Sequence, residues 1–156
     1  MSIEKVRAYF RQFGMEERVT ELSESSATVE LAAHAVGVIP ARIAKTLSFK
    51  TEDGAMLILA AGDARIDNKK FKAKFNMKAK MLTPEEVDTY IGHSIGGVCP
   101  FGIDPSVKVY LDDTMKRFDT VFPAAGSANS MIELNLDELM KYSNAIEWVD
   151  VCKLPD

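Results

Sequence analysis

Cysteine and histidine are scarce in this sequence, with two residues of each among 156. Cys99 and Cys152 are too few for a disulfide framework or a four-thiolate metal site. With only His34 and His93 beside them, the chain also lacks the residues and spacing of a zinc centre. We therefore expect neither a bound metal ion nor another cofactor.

Long apolar runs are missing as well. The longest uninterrupted one covers residues 55–61, far short of the roughly 20 apolar residues that cross a bilayer. The first seven residues mix both charge signs and lack the continuous apolar stretch of a signal peptide. We expect a cytoplasmic protein that does not enter a membrane.

The overall composition is that of a globular protein. Hydrophobic residues make up 47% of the chain and charged residues 27%, which is too apolar for a disordered chain. A chain of this length can bury about 69% of the surface that it exposes when unfolded. Helical and extended patterns alternate without a repeat or a linker. The sequence predicts one domain over residues 1–156, of α/β or α+β class, with a mixed sheet.

Periodicity, caps and turns predict the individual elements. Apolar residues recur at helical spacing over residues 3–13 and Gly14 follows, which predicts a helix and its end. Thr28, Asp67 and Thr83 are expected to cap the starts of three further helices. The other predicted helical segments are residues 40–44 and 137–142. The predicted strands are residues 46–50, 56–60, 78–82, 107–111, 120–123, 131–134 and 146–151.

The charge is unevenly distributed along the chain. The net charge is −4, but residues 65–80 hold seven basic residues and one acid, Asp67, so that this segment carries +6 and the remainder −10. A patch of this kind attracts a polyanion, or it is the solvated face of a surface helix. On a helix Lys70 and Lys74 share one face and Lys69 and Lys72 another. One pair is therefore better placed than all four to contact phosphate.

Lys45 lies at the entry to an otherwise apolar strand in residues 43–49. An ammonium group is costly to bury without a partner, so Lys45 either reaches water or serves a specific anion or carbonyl. Without further context, reaching water is the commoner outcome.

Residues 96–102 (GGVCPFG) form a loop with three glycines and one proline, referred to below as the glycine loop. Glycines expose backbone N–H groups that can hold an oxyanion, and they also build ordinary tight turns. No Gly-Lys-Ser/Thr follows, so this is not a nucleotide-binding Walker loop. Cys99 and His93 could act as a thiolate and its base, although simple packing is the commoner role of such a cysteine.

Residues 124–130 (AAGSANS) form a second loop of small residues between two predicted strands, referred to below as the small-residue loop. Small side chains leave room for a ligand, but loops are commonly small and polar. By itself this loop therefore decides nothing about function.

Taken together, these segments resemble the YbaK / prolyl-tRNA synthetase-associated domain family. The resemblance covers about residues 25–140, and it depends on the order of the pieces rather than on any one of them. The matching pieces are Thr28, residues 32–33 (AA), 37–38 (GV), 43–47 (IAKTL), 62–63 (GD), 66–67 (ID), 85–87 (EEV), 96–102 (GGVCPFG), 109–112 (VYLD) and 132–134 (IEL).

The resemblance implies a curled mixed sheet, close to a barrel, with helices around it. It also implies hydrolysis in trans of the ester between a wrong amino acid and a transfer RNA, typically the proline transfer RNA, with prolyl-tRNA synthetase as a further partner. Lys45 stands at the family's essential lysine, and Gly96 to Pro100 match its glycine-x-x-x-proline loop, whose amides contact the acyl carbonyl. The implied catalytic positions are Lys45, Gly96, Gly97, Cys99 and Pro100. The candidate substrate contacts are Thr46, Phe101, Gly126, Ser127, Lys69, Lys70, Lys72 and Lys74.

Two departures from the family leave the removed amino acid open. Relatives that remove cysteine carry a serine at the position of Ala125 and an aspartate at that of Met131. Relatives that remove alanine tend to carry a histidine in the loop before the last strands, and residues 122–130 contain none. A non-catalytic module that binds transfer RNA or a synthetase remains an alternative, and a thiol hydrolase using Cys99 is a third.

Overall fold

The structure is a computed structural model that describes residues 2–93 and 96–155. Within them the α-helices are α1 (Ser2–Arg11), α2 (Val29–Val36), α3 (Asn68–Phe75), α4 (Pro84–Tyr90) and α5 (Leu136–Tyr142). The strands are β1 (Val19–Glu21), β2 (Ile43–Thr51), β3 (Gly54–Ala61), β4 (Arg65–Ile66), β5 (Lys108–Asp112), β6 (Thr120–Pro123), β7 (Ser130–Ile132), β8 (Leu134–Asn135), β9 (Trp148–Val149) and β10 (Cys152–Lys153). Short 3-10 helices cover Glu16–Arg18, Pro40–Arg42 and Asp113–Arg117.

The main sheet has the strand order β8-β6-β2-β3-β5-β9. Its centre is the antiparallel hairpin β2–β3, and both outer neighbours of that hairpin, β6 and β5, pair with it in parallel. Two small antiparallel pairs, β1–β7 and β4–β10, lie beside it. The sheet curls into a half-barrel with the helices around it, so the prediction of a curled mixed sheet is confirmed.

The hairpin forms because its two strands carry different patterns. From Ala55 onward every residue of β3 is buried, as expected for a strand covered on both faces. β2 is buried only in part, and its residue Lys45 pairs with Ala60 of β3. Lys45 is thereby held on a central strand rather than in a loop.

The predicted caps are confirmed. Thr28 accepts a hydrogen bond from the backbone N–H of Leu31, and Asp67 accepts from two N–H groups in the first turn of α3. Thr83 forms a reciprocal capping box with Glu86, which satisfies two of the donors that a helix start leaves unpaired.

Several predicted boundaries differ from the structure. The first helix ends at Arg11, two residues early, and the helical piece at Pro40 covers three residues because β2 already begins at Ile43. Residues 78–82 form a single bridge, Met81 to Phe49, instead of a strand. This segment bonds to the part of β2 that β6 does not reach. The prediction of a strand over 146–151 shrinks to β9, because only two residues there pair with β5.

Apolar side chains form two separate clusters. The larger fills the half-barrel beneath α1, α3 and α5 and includes Phe10, Phe71 and Leu139. The smaller consists of Ala32, Ala33, Ile43 and Met131, and it lies between α2 and the edge of the sheet. This smaller cluster forms one wall of the cavity described below.

Asp112 is a fully buried carboxylate at the end of β5. Its two oxygens accept hydrogen bonds from the backbone N–H groups of Thr114 and Val151, both at 2.9 Å. We predict that Asp112→Ala lowers the free energy of unfolding by about 2 to 4 kcal/mol, because two buried donors lose their acceptor. Chemical denaturation checks this value. The exposed neighbour Asp113 is the control, and Asp113→Ala should change the same quantity by less than about 0.5 kcal/mol; equal effects of the two substitutions would refute the explanation.

Candidate functional site

A cavity of about 220 Å³ opens beside the first residues of β2, a central strand of the half-barrel. Lys45 and Thr46 of β2 line it together with Gly96 of the glycine loop. Ser26 and its neighbours line a further part of it, while the apolar wall comes from the smaller cluster, including Met131. The cavity therefore combines one cation, hydroxyl groups, a glycine backbone and an apolar wall.

Lys45 reaches the cavity with its ammonium group anchored. The Nζ atom donates to the backbone carbonyl of Ala64 and, at 3.5 Å, to that of Gly62. Burial lowers the pKa of Lys45 from its ordinary value, because a charged amine loses hydration there. Asp63, in the same turn, is held by a two-point ion pair with Arg117 at 2.7 and 3.1 Å. The turn that fixes Lys45 is thus itself fixed.

The glycine loop touches the small-residue loop backbone to backbone. Gly126 donates its N–H to the carbonyl of Gly97 at 3.0 Å. A Cβ atom at Gly97 would lie 2.2 Å from the backbone nitrogen of Ser127, a distance that no side chain tolerates. Gly96 has a φ of +87°, which favours glycine. Glycine is therefore required at both positions, for close approach at one and for conformation at the other.

A third segment, residues 22–28, completes the mouth of the cavity and is referred to below as the entry segment. Leu22 donates its N–H to the carbonyl of Asn129, and Ser26 donates its N–H to that of Ala128, both at 2.6 Å. Asn129 returns a side-chain hydrogen bond to the carbonyl of Leu22 at 3.1 Å. These three hydrogen bonds join the entry segment to the small-residue loop.

Cys99 is not placed to act as a nucleophile. Its side chain is fully buried, and burial raises the pKa of its thiol to about 12. His93 directs Nε2 to the carbonyl of Phe101 at 2.8 Å, and the Cys99 sulfur approaches the same carbonyl at 3.9 Å. Desolvation is the main cause of this raised pKa, so the thiol stays protonated at neutral pH. Any contribution of Cys99 to the site comes from its backbone.

Phe101, which the sequence suggested as a substrate contact, does not line the cavity. Its side chain is fully buried in the larger cluster, with its ring 4.8 Å from that of Phe10. Pro100 is also buried and, like Phe101, does not line the cavity. The aromatic side chain of Phe101 packs the glycine loop against α1.

The small-residue loop contributes differently from the sequence expectation. Ser127 directs its hydroxyl to Asn129 and Ser130, inside the loop, and Gly126 is buried against Gly97. Ala124, rather than these two residues, lines the cavity. Gly126 and Ser127 therefore support the site through their backbone.

The lysines of α3 divide into two groups. Lys70 pairs with Asp150 at 3.0 Å, and Lys74 pairs with Glu147 at 3.1 Å. Lys69 and Lys72 have no carboxylate partner among the described residues, and together with Lys78 they line an open groove. We refer to Lys69, Lys72 and Lys78 as the lysine face.

Sequence reasoning missed the entry segment as part of the site. Ser26, Ala27 and Thr28 line the cavity, although only the capping role of Thr28 was evident from the pattern. A run of small polar residues before the cap was the available signal. Its contacts lie about a hundred positions away in the chain, in the small-residue loop, so local patterns could not reveal them.

Two kinds of structural feature are absent from the part of the chain that the structure describes. No helix among residues 2–93 and 96–155 is long and apolar enough to span a bilayer. The same residues contain no group of three or more histidine, cysteine, aspartate or glutamate side chains that could hold a metal ion.

The half-barrel, with its lysine and glycine loop at one cavity, is the architecture of an editing domain. The model of the aminoacyl-tRNA editing domain matches residues 23–142, and the chain belongs to this family. The resemblance noted from the sequence is confirmed, and the family supports a deacylase or editing role.

Individual relatives agree with this assignment. Protein YwhH of Bacillus subtilis is 56% identical over 98% of both chains. A candidate Cys-tRNA(Pro)/Cys-tRNA(Cys) deacylase, EbsC of Enterococcus faecalis, is 27% identical over 78% of this chain and 76% of its own. A proline–tRNA ligase of Thermotoga maritima is 32% identical over 80% of this chain, which corresponds to 21% of the ligase. The crystal structure of a candidate trans-editing enzyme for prolyl-tRNA synthetase superposes with a TM-score of 0.87, at 31% identity and 97% coverage of both chains.

Both cysteines should be unreactive in the folded protein. Cys152 is 3% exposed, and burial raises its thiol pKa to about 12, as it does for Cys99. We predict that iodoacetamide at pH 8 leaves both thiols unmodified, since the thiolate is the reacting species. Mass spectrometry checks this outcome, with the unfolded protein in guanidinium as the control that reacts twice. Rapid alkylation of folded Cys99 would restore the thiol hydrolase to consideration.

Proposed function

We propose that this protein is a cytoplasmic aminoacyl-tRNA deacylase that acts in trans, as a proofreading enzyme of translation. The observation that carries the proposal is the cavity at which Lys45 and the glycine loop meet, in a chain of the editing family. The proposed substrate is a proline transfer RNA carrying a small non-cognate amino acid. Prolyl-tRNA synthetase is a proposed partner, because proline–tRNA ligases contain a related segment.

The reaction is an ester hydrolysis. Water attacks the acyl carbonyl carbon, and the bond to the ribose oxygen breaks. One water proton ends on the ribose oxygen, and the other is released with the carboxylic acid of the amino acid. We assign the backbone N–H groups around Gly96, Gly97 and Cys99 to the developing oxyanion, since Pro100 has none, and the Lys45 ammonium to the 3′ end of the transfer RNA.

No side-chain nucleophile is needed in this scheme. We assign activation of the water to a hydroxyl group of the terminal ribose. This hydroxyl is part of the bound substrate, so binding itself positions it next to the ester. The inert environment of Cys99 is consistent with this scheme.

There is a physical reason for a small editing cavity that is separate from the synthetic site of the synthetase. One methylene distinguishes amino acids by only about 1 to 3 kcal/mol, so a synthetase that faces small substrates gains from a second sieve. A cavity of about 220 Å³ with an apolar wall is suited to such a sieve. Exclusion of the cognate amino acid is then steric.

A panel of mischarged transfer RNAs tests the function. Pure protein at substoichiometric concentration should release the amino acid from at least one of them over many turnovers. Binding without turnover would favour the alternative, a non-catalytic module that binds transfer RNA or a synthetase.

Lys45 should be essential for this activity. We predict that Lys45→Ala lowers kcat/KM for deacylation roughly 30- to 1,000-fold, since loss of one charged donor costs about 2 to 4 kcal/mol of transition-state stabilisation. The melting curve should change little. Lys50→Ala is the control, because Lys50 lies on the same strand but pairs with Glu86 at 3.2 Å. Activity of Lys45→Ala within threefold of the unchanged protein would exclude this role.

The lysine face is the proposed contact for the phosphates of the transfer RNA. Lys70 and Lys74 are already paired with carboxylates, whereas Lys69 and Lys72 border the groove with Lys78. Unpaired cations gain more from a polyanion, because no existing ion pair has to break.

Salt dependence tests this surface. We predict that the double change Lys69→Gln with Lys72→Gln reduces the log–log slope of transfer RNA affinity against salt by about 1.4 to 1.8, at 0.7 to 0.9 per phosphate. KM should rise while single-turnover hydrolysis at saturation stays nearly constant. The matched control is Lys70→Gln with Lys74→Gln, which should leave the slope almost unchanged. If neither pair alters the slope, the transfer RNA docks elsewhere.

A further inference from the structure

Two hydroxyl groups at the cavity have no hydrogen-bond partner. Among the described residues three buried side-chain polar atoms lack a partner, and they are Ser26 Oγ, Thr46 Oγ1 and His93 Nδ1. Ser26 and Thr46 both line the cavity, and His93 does not. Ser26 is only 6% exposed. An unpaired buried hydroxyl is unfavourable, so two of them at one cavity indicate a polar occupant.

The neighbouring polar side chains are already engaged. Ser25 accepts from the N–H of Ala27 at 3.2 Å, Thr28 caps α2, and Ser127 bonds within its own loop. Ser26 binds the small-residue loop only through its backbone N–H. Its hydroxyl is therefore free of any structural bond in the entry segment.

The cavity lining also limits which atom these hydroxyls can serve. Lys45 is one of the described residues that line the cavity, and none of those described residues carries a carboxylate. The Lys45 ammonium has three N–H donors and no acceptor, and the carbonyls of Ala64 and Gly62 take two of those donors. A substrate amino group needs acceptors, and the hydroxyl oxygens of Ser26 and Thr46 are available for that purpose.

We propose that Ser26 and Thr46 accept hydrogen bonds from the free α-amino group of the aminoacyl ester and thereby select it. This inference rests on the proposed deacylase function and adds the group of the substrate that is recognised. The selection favours an aminoacyl ester over an ester whose acyl group carries no free amine. Peptidyl-tRNA, whose α-nitrogen is an amide, is a poor substrate for the same reason.

A cycle of two enzymes and two substrates tests the proposal. The first substrate is the transfer RNA carrying the amino acid that the unchanged protein removes fastest from the panel. The second substrate is the same transfer RNA carrying the corresponding acid without its α-amino group. Ser26→Ala should lower kcat/KM for the aminoacyl ester roughly 10- to 100-fold, as expected when a bond to a charged group is lost. For the deamino ester the change should stay within about twofold. The ratio of these two effects cancels the intrinsic reactivity of each ester.

Two further variants make the result interpretable. Ser23→Ala changes an exposed serine of the same entry segment and should leave both substrates unaffected. Thr46→Val keeps the shape of the side chain while removing its hydroxyl, so it repeats the cycle if Ser26→Ala fails to fold. An equal loss on both esters, or no loss on either, overturns the inference while the deacylase function stands. If the unchanged protein hydrolyses no member of the panel, the proposed function fails and the inference fails with it.

Discussion

The site depends on the contact between two backbones at Gly97. A Cβ atom at Gly97 would lie only 2.2 Å from the backbone nitrogen of Ser127. The glycine loop and the small-residue loop therefore meet without a side chain between them. The hydrogen bond from Gly126 to Gly97 then ties the two loops together. Because the entry segment is bonded to the small-residue loop, this contact positions all three parts of the cavity mouth relative to β2.

The hairpin supplies the rigid part of the site. β3 is buried along nearly its whole length, so β2 cannot shift its register without exposing the core. Lys45 is therefore held at a fixed height on the sheet, and the carbonyls of the turn after β3 hold its ammonium group. Hydrogen bonds to those carbonyl groups offset the free-energy cost of partly burying this cation. The result is a positive charge beside a small apolar wall.

The environment of each polar side chain near the cavity decides whether it can bind a ligand. The thiol of Cys99 has the chemical type of a nucleophile, but burial keeps it protonated. The hydroxyl of Ser26 has an ordinary chemical type, yet its lack of a partner makes it available to a ligand. Environment rather than residue type decides which of these groups can take part in binding, and the same holds for the paired and unpaired lysines of α3.

Local features were predictable from sequence because they depend on near neighbours. The caps at Thr28, Asp67 and Thr83 and the β2–β3 hairpin follow from contacts within a few residues or across one turn. The segment at 78–82 was predicted as a strand, since its pattern could not show that β2 offers it room for only one bridge.

The fold class, the family, Lys45 and the glycine loop could all be recognised in the sequence, because the order of the matching segments is a property of the chain. Only the tertiary structure decided that Phe101 belongs to the core, that Cys99 is inert, that Lys70 and Lys74 are paired, and that Ser26 reaches the cavity. The physical reason is that burial, ion pairing and orphaned hydroxyl groups depend on residues brought together from distant parts of the chain. The bond between Ser26 and Ala128, which joins positions 102 residues apart, is the simplest example.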